Sequence, residues 1–442
     1  MTTHYLLPEC SSTGLTECST LELETRYSYP GMLFFYPEKL DSGRLRRALV
    51  RVLSDFPQYA GKLLAEGTTL QIQHGARAVS FETVESDNRL NDVASELRAT
   101  GRCRKLEPKA STLRIMLAQE RTLLIRLTSL RDGCVLAVGW NHAVGDMHST
   151  MLLMRAWANA YAGRMHDKPI TLTDRDAYYR AVLPDDRRAR SVVRRADLRS
   201  GVSARLQLLR PAVQVRAEFS NAELSALQEA ASASTRVSRN DALCSHVYAV
   251  LRRLAPMPQQ TNLCLVVNFR KRLDLPEQVI GNMTSLIAQP VRRHHSVARV
   301  AAGLRRKLDE YAEKHVYYHP TARAHRACTT HTQRLRLTSR QFRLGSGDIF
   351  ITNWNGFGSY DLELGESRPV FFHPMILGPQ LPQWFMIIYE LPGDGLAVTV
   401  ALPKSIARRW TSREGQSLLH TAPIAVHRRA PRAHHAFHSA TG

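Results

Sequence analysis

One stretch of this chain, an apolar strand followed by a short turn with polar residues and then an apolar helix, constrains its fold most strongly. Residues 133–140 (GCVLAVGW) are almost wholly apolar, with the β-branched and aromatic content that favours a strand. His142 and Asp146 follow at once, and the apolar segment 151–161 predicts a buried helix. This order predicts a mixed α/β fold with polar side chains at a strand-to-helix junction.

Both halves of the chain repeat the mixture of strands and helices. In the first half, residues 31–37, 111–119 and 121–129 predict strands, and apolar residues at three- and four-residue steps in 42–56 predict a helix. In the second half, the patterns predict helices at 242–254 and 298–314. They predict strands at 213–219, 263–269, 348–352, 383–390 and 395–402.

The length of 442 residues predicts two domains. We assign residues 1–180 to an N-terminal domain and 213–410 to a C-terminal domain. Residues 181–212 are rich in arginine and lack apolar periodicity, which indicates an exposed basic connection between the domains. Residues 411–442 are polar and basic, so we predict a disordered tail there.

Composition excludes several classes of protein. A hydrophobic content of 44% with 22% charged residues is typical of soluble globular proteins and excludes fibrous or wholly disordered chains. No apolar run approaches the roughly 18 residues of a membrane span, and the first residues lack a secretory signal pattern. Seven scattered cysteines argue against a disulfide framework or a zinc site. We therefore expect a soluble, cytoplasmic protein with no metal site.

The excess positive charge is confined to three segments. The net charge is +21, and residues 180–216, 291–343 and 402–442 carry ten, thirteen and seven basic residues against three, three and one acidic residues. Such charge first suggests nucleic acid, whose phosphates attract lysine and arginine. The polar strand-to-helix junction lies outside these segments, so we expect no nucleic-acid partner.

His142 and Asp146 form an H-x-x-x-D pair that suits acid–base chemistry. A histidine titrates near neutral pH and can serve as a general base, while a carboxylate four residues later can fix the local geometry. A pair this short also arises by chance. The alternative is a histidine that simply satisfies its hydrogen bonds at the end of a buried strand.

Six further segments accompany this pair in an order that resembles the BAHD acyltransferase family. Their counterparts in the family are an opening strand, helix and F-x-P-x-A-G-x-L turn, then V-S-x-x-D/E-A-L, V-D/N-x-R-x-R, a G-N turn, T-S-W and D-F-G-W-G-K-P. In this chain they are, in order, residues 30–63, 237–243, 267–272, 281–282, 352–354 (TNW) and 363–369 (ELGESRP). The resemblance spans about residues 27–402.

The resemblance implies an acyltransferase that moves an acyl group from a coenzyme A thioester to a hydroxyl or amine of a small molecule. It also implies two pseudo-symmetric domains like those of chloramphenicol acetyltransferase, with mixed sheets flanked by helices and a tunnel between them. Acyl-CoA would be a co-substrate, with no tightly bound cofactor and no covalent acyl-enzyme. The resemblance also implies a monomer that serves secondary metabolism.

The same resemblance assigns roles at the H-x-x-x-D pair. His142 would be the general base that takes the proton of the acceptor. Asp146 would be structural and would pair with an arginine, Arg270 as first choice and Arg272 as second. The alternative for both arginines is a solvated position at a strand end, where ion pairs contribute little.

Two more residues would serve the tetrahedral intermediate. The Thr352 hydroxyl or the Trp354 indole N–H would donate to its oxyanion. The alternative for Trp354 is packing in the core.

Two departures from the family pattern concern the residue after Asp146 and the D-F-G-W-G motif. Met147 stands where the family usually has glycine. The motif survives only as a degenerate segment that contains Glu363, Gly365 and Arg368. In the family that segment is structural, so its change bears on loop packing or on the entry of coenzyme A.

Two other functions remain open from the sequence. Condensation-type transferases, which use a carrier-protein-bound donor, share an H-H-x-x-x-D-G pattern that residues 141–147 also resemble. A catalytically idle, basic binding or scaffold protein is the alternative of another class. Within the acyltransferase hypothesis, we expect arginines of 291–343 to contact the phosphates of coenzyme A.

Overall fold

A computed structural model describes the chain over residues 1–10, 14–66, 69–182, 210–232, 235–271, 273–314, 348–378 and 382–421. Its strands are β1 Thr2–Leu6, β2 Leu15–Glu17, β3 Pro30–Tyr36, β4 Lys62–Glu66, β5 Thr69–Gln73, β6 Val79–Glu85, β7 Leu123–Leu130, β8 Gly133–Trp140, β9 Ile170–Thr171, β10 Val213–Phe219, β11 Gln260–Asn268, β12 Val279–Ile280, β13 Thr284–Arg292, β14 Ile349–Trp354, β15 Phe371–Ile376, β16 Phe385–Glu390 and β17 Leu396–Leu402. Its α-helices are α1 Thr20–Thr25, α2 Ser42–Asp55, α3 Leu90–Thr100, α4 Thr112–Met116, α5 Met147–Tyr161, α6 Arg175–Val182, α7 Asn221–Ala231, α8 Arg239–Leu254, α9 Val297–Lys314, α10 Lys404–Trp410 and α11 Arg413–His420.

The first sheet has the strand order β1-β6-β7-β8-β3-β15. The pair β6 and β7 is parallel and its other neighbours are antiparallel, so the sheet is mixed. Strands β3 and β8 are buried along their whole length, as expected for the apolar runs that form them. Helices α2 and α5 pack against each other, and their apolar faces join the core under this sheet.

The second sheet has the strand order β10-β17-β16-β14-β11-β13. Strand β14 runs parallel to both of its neighbours, and the remaining pairs are antiparallel. Helices α7, α8 and α9 pack together and contribute buried side chains to the core of this half. Both halves are therefore mixed sheets with helices, as the sequence predicts.

Two strand pairs connect the two halves of the chain. Strand β9 pairs in parallel with β12, which lies immediately before Gly281 and Asn282. Strand β15, from the C-terminal half, pairs antiparallel with β3 and completes the edge of the first sheet. The halves are thus joined by backbone hydrogen bonds as well as by side chains.

One predicted element is wrong, and two elements lie where the predicted domain bounds did not place them. Residues 111–119 were expected to form a strand, but helix α4 begins at Thr112 because the Ser111 side chain caps it. Strand β15 lies inside the range 213–410 of the predicted C-terminal domain, yet its apolar residues complete the first sheet. Helix α11 lies in the predicted disordered tail and is held by the cap residue Ser412 and by buried Leu419.

Several predictions fall on residues outside the described part of the chain. These are most of the basic connection (183–209), residues 315–347 of the basic segment 291–343, and residues 422–442 of the tail. Among the residues that the structure does describe, none of the helices has the length and apolar character needed to cross a bilayer.

Candidate active site

His142 lies on the turn between strand β8 and helix α5. The Asn141 side chain donates to the backbone oxygen of Arg26 (2.8 Å) and accepts from the backbone N–H of Ala143 (2.9 Å). The backbone N–H of His142 donates to the oxygen of Ser28 (2.9 Å). A buried strand end with an asparagine therefore fixes the turn, and the His142 side chain remains only half-buried.

The His142 ring meets the C-terminal half of the chain through one side chain. Its Nδ1 lies 3.1 Å from Nδ2 of Asn282, in the G-N turn. Burial is the main influence on the pKa of His142 and lowers it below the ordinary value. A hydrogen bond to its own backbone oxygen and the charges of Asp146 and Glu22 raise the pKa only in part. His142 is therefore neutral at physiological pH.

Asp146 begins helix α5 and points away from the His142 ring. Its Oδ1 accepts from the backbone N–H and the hydroxyl of Ser149, both at 2.9 Å, as a helix N-cap does. Its Oδ2 accepts from Arg270 Nη1 (2.6 Å) and from the backbone N–H of Met283 (3.0 Å). Burial raises the pKa of Asp146, but the Arg270 charge and these hydrogen bonds bring it below its ordinary value.

Arg270 is fully buried and connects Asp146 to the G-N turn. Besides Asp146 it donates to the Ser149 hydroxyl (3.0 Å) and to the backbone oxygens of Val279 and Gly281 (3.1 Å each). A planar guanidinium can satisfy so many acceptors at once. The geometry thus agrees with the first choice made from the sequence, while Arg272, the second choice, lies outside the described residues.

A second buried carboxylate, Glu22, also contacts the G-N turn and was not singled out from the sequence. Its Oε1 accepts from the backbone N–H of Asn282 (3.1 Å), from the Tyr179 hydroxyl (3.1 Å) and from Arg175 Nη1 (3.4 Å). Its Oε2 accepts from the backbone N–H of Ser19 (3.0 Å). The only sequence signal for this residue was the spacing of Ser19 and Glu22, which is typical of a capping box.

Arg175, the partner of Glu22, grips the backbone next to His142. It donates to the oxygens of Ala143 (2.8 Å) and Val144 (2.9 Å), the first two residues after the histidine. The side chains of Arg175 and Glu22 are 1% and 0% exposed, so the ion pair is shielded from solvent. Nothing in the sequence around Arg175, at the start of α6, marked it.

Trp354 lies near this turn, whereas Thr352 has no recorded contact with it. The Trp354 ring packs against that of Trp140, with centroids 6.2 Å apart, and Trp140 in turn donates to the backbone oxygen of Gly145 (2.9 Å). Trp354 is 6% exposed, so the core-packing alternative describes its surroundings well. Thr352 is half-buried two residues earlier on β14.

The degenerate segment forms a turn that is separate from these contacts. Glu363 and Arg368 make an exposed ion pair of 3.0 Å, and Gly365 has a left-handed backbone with φ of 72°. Leu362 and Leu364 are buried in the core of the first half. Gly365 and the buried leucines therefore hold the loop, and the two charged residues face solvent.

Among the residues that the structure describes, no three His, Cys, Asp or Glu side chains come together in a group that could hold a metal ion.

With this geometry in view, comparison with known proteins decides the family. The model of the Transferase family matches residues 17–409 of the chain, which is most of its length. The chain belongs to the Transferase family. This confirms the resemblance to the BAHD acyltransferases that the sequence motifs indicated.

Two curated relatives of this transferase are acyltransferases by name. It is 29% identical over 126 residues to the BAHD acyltransferase DCR of Arabidopsis thaliana, an alignment that covers 27% of this chain but only 26% of that protein. It is 25% identical over 397 residues to the acyltransferase abl6 of Leptosphaeria maculans, covering 75% of this chain and 78% of that one. Acyltransferase activity is therefore the function that family membership supports.

Solved structures share the fold of this transferase. TRI101 of F. sporotrichioides, complexed with coenzyme A and T-2, matches with a TM-score of 0.68 at 17% identity, covering 91% of this chain and 98% of that one. The condensation domain of the polyketide synthase MokA matches with a TM-score of 0.60 at 12% identity, covering 93% and 98%. The predicted mixed fold of the chloramphenicol acetyltransferase type is confirmed. The tunnel between the halves stays a prediction.

Proposed function

We propose that this transferase moves an acyl group from a coenzyme A thioester to the hydroxyl or amine of a small-molecule acceptor, with His142 as general base. The observation that carries the proposal is the state of His142. It is half-buried, burial lowers its pKa, its Nδ1 lies 3.1 Å from Nδ2 of Asn282, and it stands on a turn that two buried ion pairs hold. A base must be unprotonated and fixed in position before it can act.

The proton on the His142 ring belongs on Nδ1 in this mechanism. Nδ1 alone can reach the residue's own backbone oxygen, and a hydrogen bond between the ring and that oxygen raises the pKa of His142. A half-turn of the Asn282 amide brings its oxygen to the position 3.1 Å from Nδ1, where it accepts the same proton. The Thr284 hydroxyl, 2.9 Å from the other end of the amide, then accepts from its nitrogen. Nε2 is left unprotonated and free to act as the base.

The reaction then needs no covalent enzyme intermediate. Nε2 of His142 takes the proton as the acceptor oxygen or nitrogen attacks the thioester carbonyl carbon. A tetrahedral intermediate forms with its charge on the former carbonyl oxygen, and we assign Thr352 or Trp354 as the donor to that oxygen. The intermediate collapses, the carbon–sulfur bond breaks, and the histidine returns its proton to the leaving thiolate. General base catalysis typically contributes about 10²–10⁴ in rate.

Asp146 takes no part in proton transfer in this proposal. Its carboxylate points to Arg270 at 2.6 Å and to the backbone N–H of Met283, and it caps α5. We assign it the structural role of joining the His142 turn to the C-terminal half of the chain.

Free coenzyme A is the donor that we favour over a carrier-protein-bound thioester. TRI101, whose fold this chain shares, is complexed with coenzyme A, but a condensation domain also shares the fold, so fold alone does not choose between them. The resemblance of the 363–369 segment to D-F-G-W-G-K-P supports the free donor. A titration with acetyl-CoA should give saturable binding, and binding only to a phosphopantetheinylated carrier protein would favour the condensation-type alternative.

A panel of acyl-CoA donors and alcohol or amine acceptors tests the proposed reaction. We expect free thiol to be released in step with an acylated product found by mass spectrometry. Thiol release without acylated product would mean hydrolysis rather than transfer. No turnover with any pair, together with nucleic-acid binding that survives about 200 mM salt, would favour the idle basic binding protein.

A further inference from the structure

We propose that the Glu22–Arg175 ion pair is a second positioning element for the base, one that acts on His142 through the Asn282 side chain and through the backbone of the turn. This inference rests on the proposed function, because it assigns a role within that reaction. Glu22 and Arg175 touch neither of the reacting groups and are positioning residues.

Arg175 holds the backbone that follows His142. Its two terminal nitrogens donate to the backbone oxygens of Ala143 and Val144, at 2.8 and 2.9 Å. These two peptide groups separate His142 from the rest of the H-x-x-x-D turn. An arginine that donates to both carbonyls fixes the path of the backbone out of His142, and Glu22 supplies the charge that keeps the guanidinium buried.

Glu22 holds the G-N turn in the C-terminal half of the chain. Its Oε1 accepts the backbone N–H of Asn282, while Oδ2 of Asp146 accepts the next backbone N–H, that of Met283. Two carboxylates from the N-terminal half therefore hold consecutive peptide groups of the G-N turn. The side chain of Asn282, which lies 3.1 Å from Nδ1 of His142, is carried by the peptide that Glu22 anchors.

Close packing leaves this arrangement little freedom to shift. A Cβ atom on Gly281 would lie 2.6 Å from the Tyr179 hydroxyl and 3.6 Å from Arg175 Nε, so a side chain at 281 would displace the group that donates to Glu22. The G-N turn can approach Glu22 and Arg175 this closely only because residue 281 is glycine. The interface between the halves is thus shaped around this pair.

The consequence is specific to the chemical step. Without the Glu22 carboxylate the Asn282 peptide loses its anchor, and the amide no longer holds the Nδ1 proton of His142 in place. A misplaced or wrongly protonated base slows proton transfer, which lowers kcat. The binding of acyl-CoA, which none of these side chains is assigned to contact, should be little changed.

The double variant E22Q/R175M tests the proposal with no buried charge left unpaired, which matters because the single variant E22Q risks failing to fold. We expect kcat to fall at least tenfold while KM for acyl-CoA changes by less than about twofold. Of the two charges removed, Glu22 is the one that acts on the pKa of His142, and it raises that pKa, so the acidic limb of the kcat/KM profile should move to lower pH.

The matched control is E82Q/R126M, which removes another buried Glu–Arg pair, 2.6 Å apart between β6 and β7. It should lower the melting temperature and leave kcat and the acidic limb unchanged. If E22Q/R175M and the control lower kcat equally, with no shift of the acidic limb in either, the positioning role is overturned. The same holds if E22Q/R175M keeps the wild-type kcat and pH profile.

The variant H142A separates this inference from the proposed function. If H142A turns over acyl-CoA as fast as the wild type, the proposed function fails, whatever E22Q/R175M does. If H142A is inactive and E22Q/R175M behaves as wild type, only the positioning role fails. An inactive H142A together with a slowed, pH-shifted E22Q/R175M supports both.

Discussion

The Asp146–Arg270 and Glu22–Arg175 pairs both contact the segments that carry His142 and Asn282, and they are built alike. In each, a buried carboxylate accepts from a guanidinium and from one backbone N–H of the G-N turn. They differ in direction. Arg270 comes from the C-terminal half and holds the carbonyls of its own G-N turn, whereas Arg175 comes from the N-terminal half and holds the carbonyls beside His142.

This difference suggests that the two ion pairs have different roles. The Asp146–Arg270 pair crosses between the halves, and Asp146 also caps α5, so it should matter most to stability. The Glu22–Arg175 pair lies within the N-terminal half and reaches across through the Asn282 backbone, so it should matter most to the placement of His142. The exposed pair Glu363–Arg368 provides a reference that should do neither.

The largest loss of stability should come from Asp146→Ala. The substitution leaves Arg270 charged and buried without its carboxylate and removes the cap of α5, and breaking a buried pair costs about 3–5 kcal/mol. Chemical denaturation followed by circular dichroism would measure the free energy of unfolding, and thiol release would measure the activity, which should also fall. Lost activity with an unchanged melting curve would contradict the structural role of Asp146.

A smaller loss should follow Arg270→Lys. Lysine keeps the charge beside Asp146 but cannot donate to Ser149, Val279 and Gly281 at the same time. A hydrogen bond that involves a charged group contributes about 1.5–3 kcal/mol, so the net loss of one of these bonds should destabilise the protein by about 2 kcal/mol. A lysine variant as stable as the wild type would show that charge alone, and not the guanidinium fork, joins the halves.

A weaker effect is expected for Tyr179→Phe. It removes a single donor, 3.1 Å from Glu22, and keeps the ring in the core. Because Oε1 of Glu22 keeps Arg175 and the Asn282 N–H as donors, we expect the low end of the range for a bond to a charged group, about 1.5 kcal/mol. We expect a small fall in the melting temperature and a fall in kcat smaller than that of E22Q/R175M. A larger fall in kcat than the double variant shows would mean that Tyr179, and not the ion pair, positions the turn.

The smallest effect should be that of Glu363→Ala. Its partner Arg368 has a side chain 64% exposed, and ion pairs in such positions contribute about 0–1 kcal/mol. The melting temperature and the turnover rate should stay within error of the wild type. A clear loss of activity would return the degenerate segment to a functional role.

How far the sequence predicts this molecule depends on the range of the interaction concerned. Strands β3 and β8 and helix α2 were predicted nearly to their ends, because local apolar patterns decide them. Helix α4 was predicted as a strand, since its pattern is too short to distinguish the two and a capping serine decides the outcome. Strand β15 joins the first sheet through pairing with β3, more than 300 residues earlier in the chain, which no local pattern reveals.

The residues of the candidate site fall into the same two groups, those that a local motif marks and those that only the fold brings together. His142 and Asp146 were found because they share a short motif, and Arg270 because it belongs to a second motif. Glu22 and Arg175 stand 153 residues apart and belong to no motif that was recognised, so only the fold brings them together. Asn282 was noticed as part of the G-N turn, but its contact with His142 required the two halves to be joined.

The central claim is that His142 is the base of an acyl transfer from coenzyme A. Its most direct test compares wild type, His142→Ala and the control His166→Ala in one assay of acyl-CoA turnover with an acceptor. His166 pairs with Asp55 at 3.0 Å, away from the turn. We expect His142→Ala to lose at least 10²-fold in rate with an unchanged melting temperature, while His166→Ala stays near wild type. A His142→Ala variant that is folded and as fast as the wild type would contradict the account.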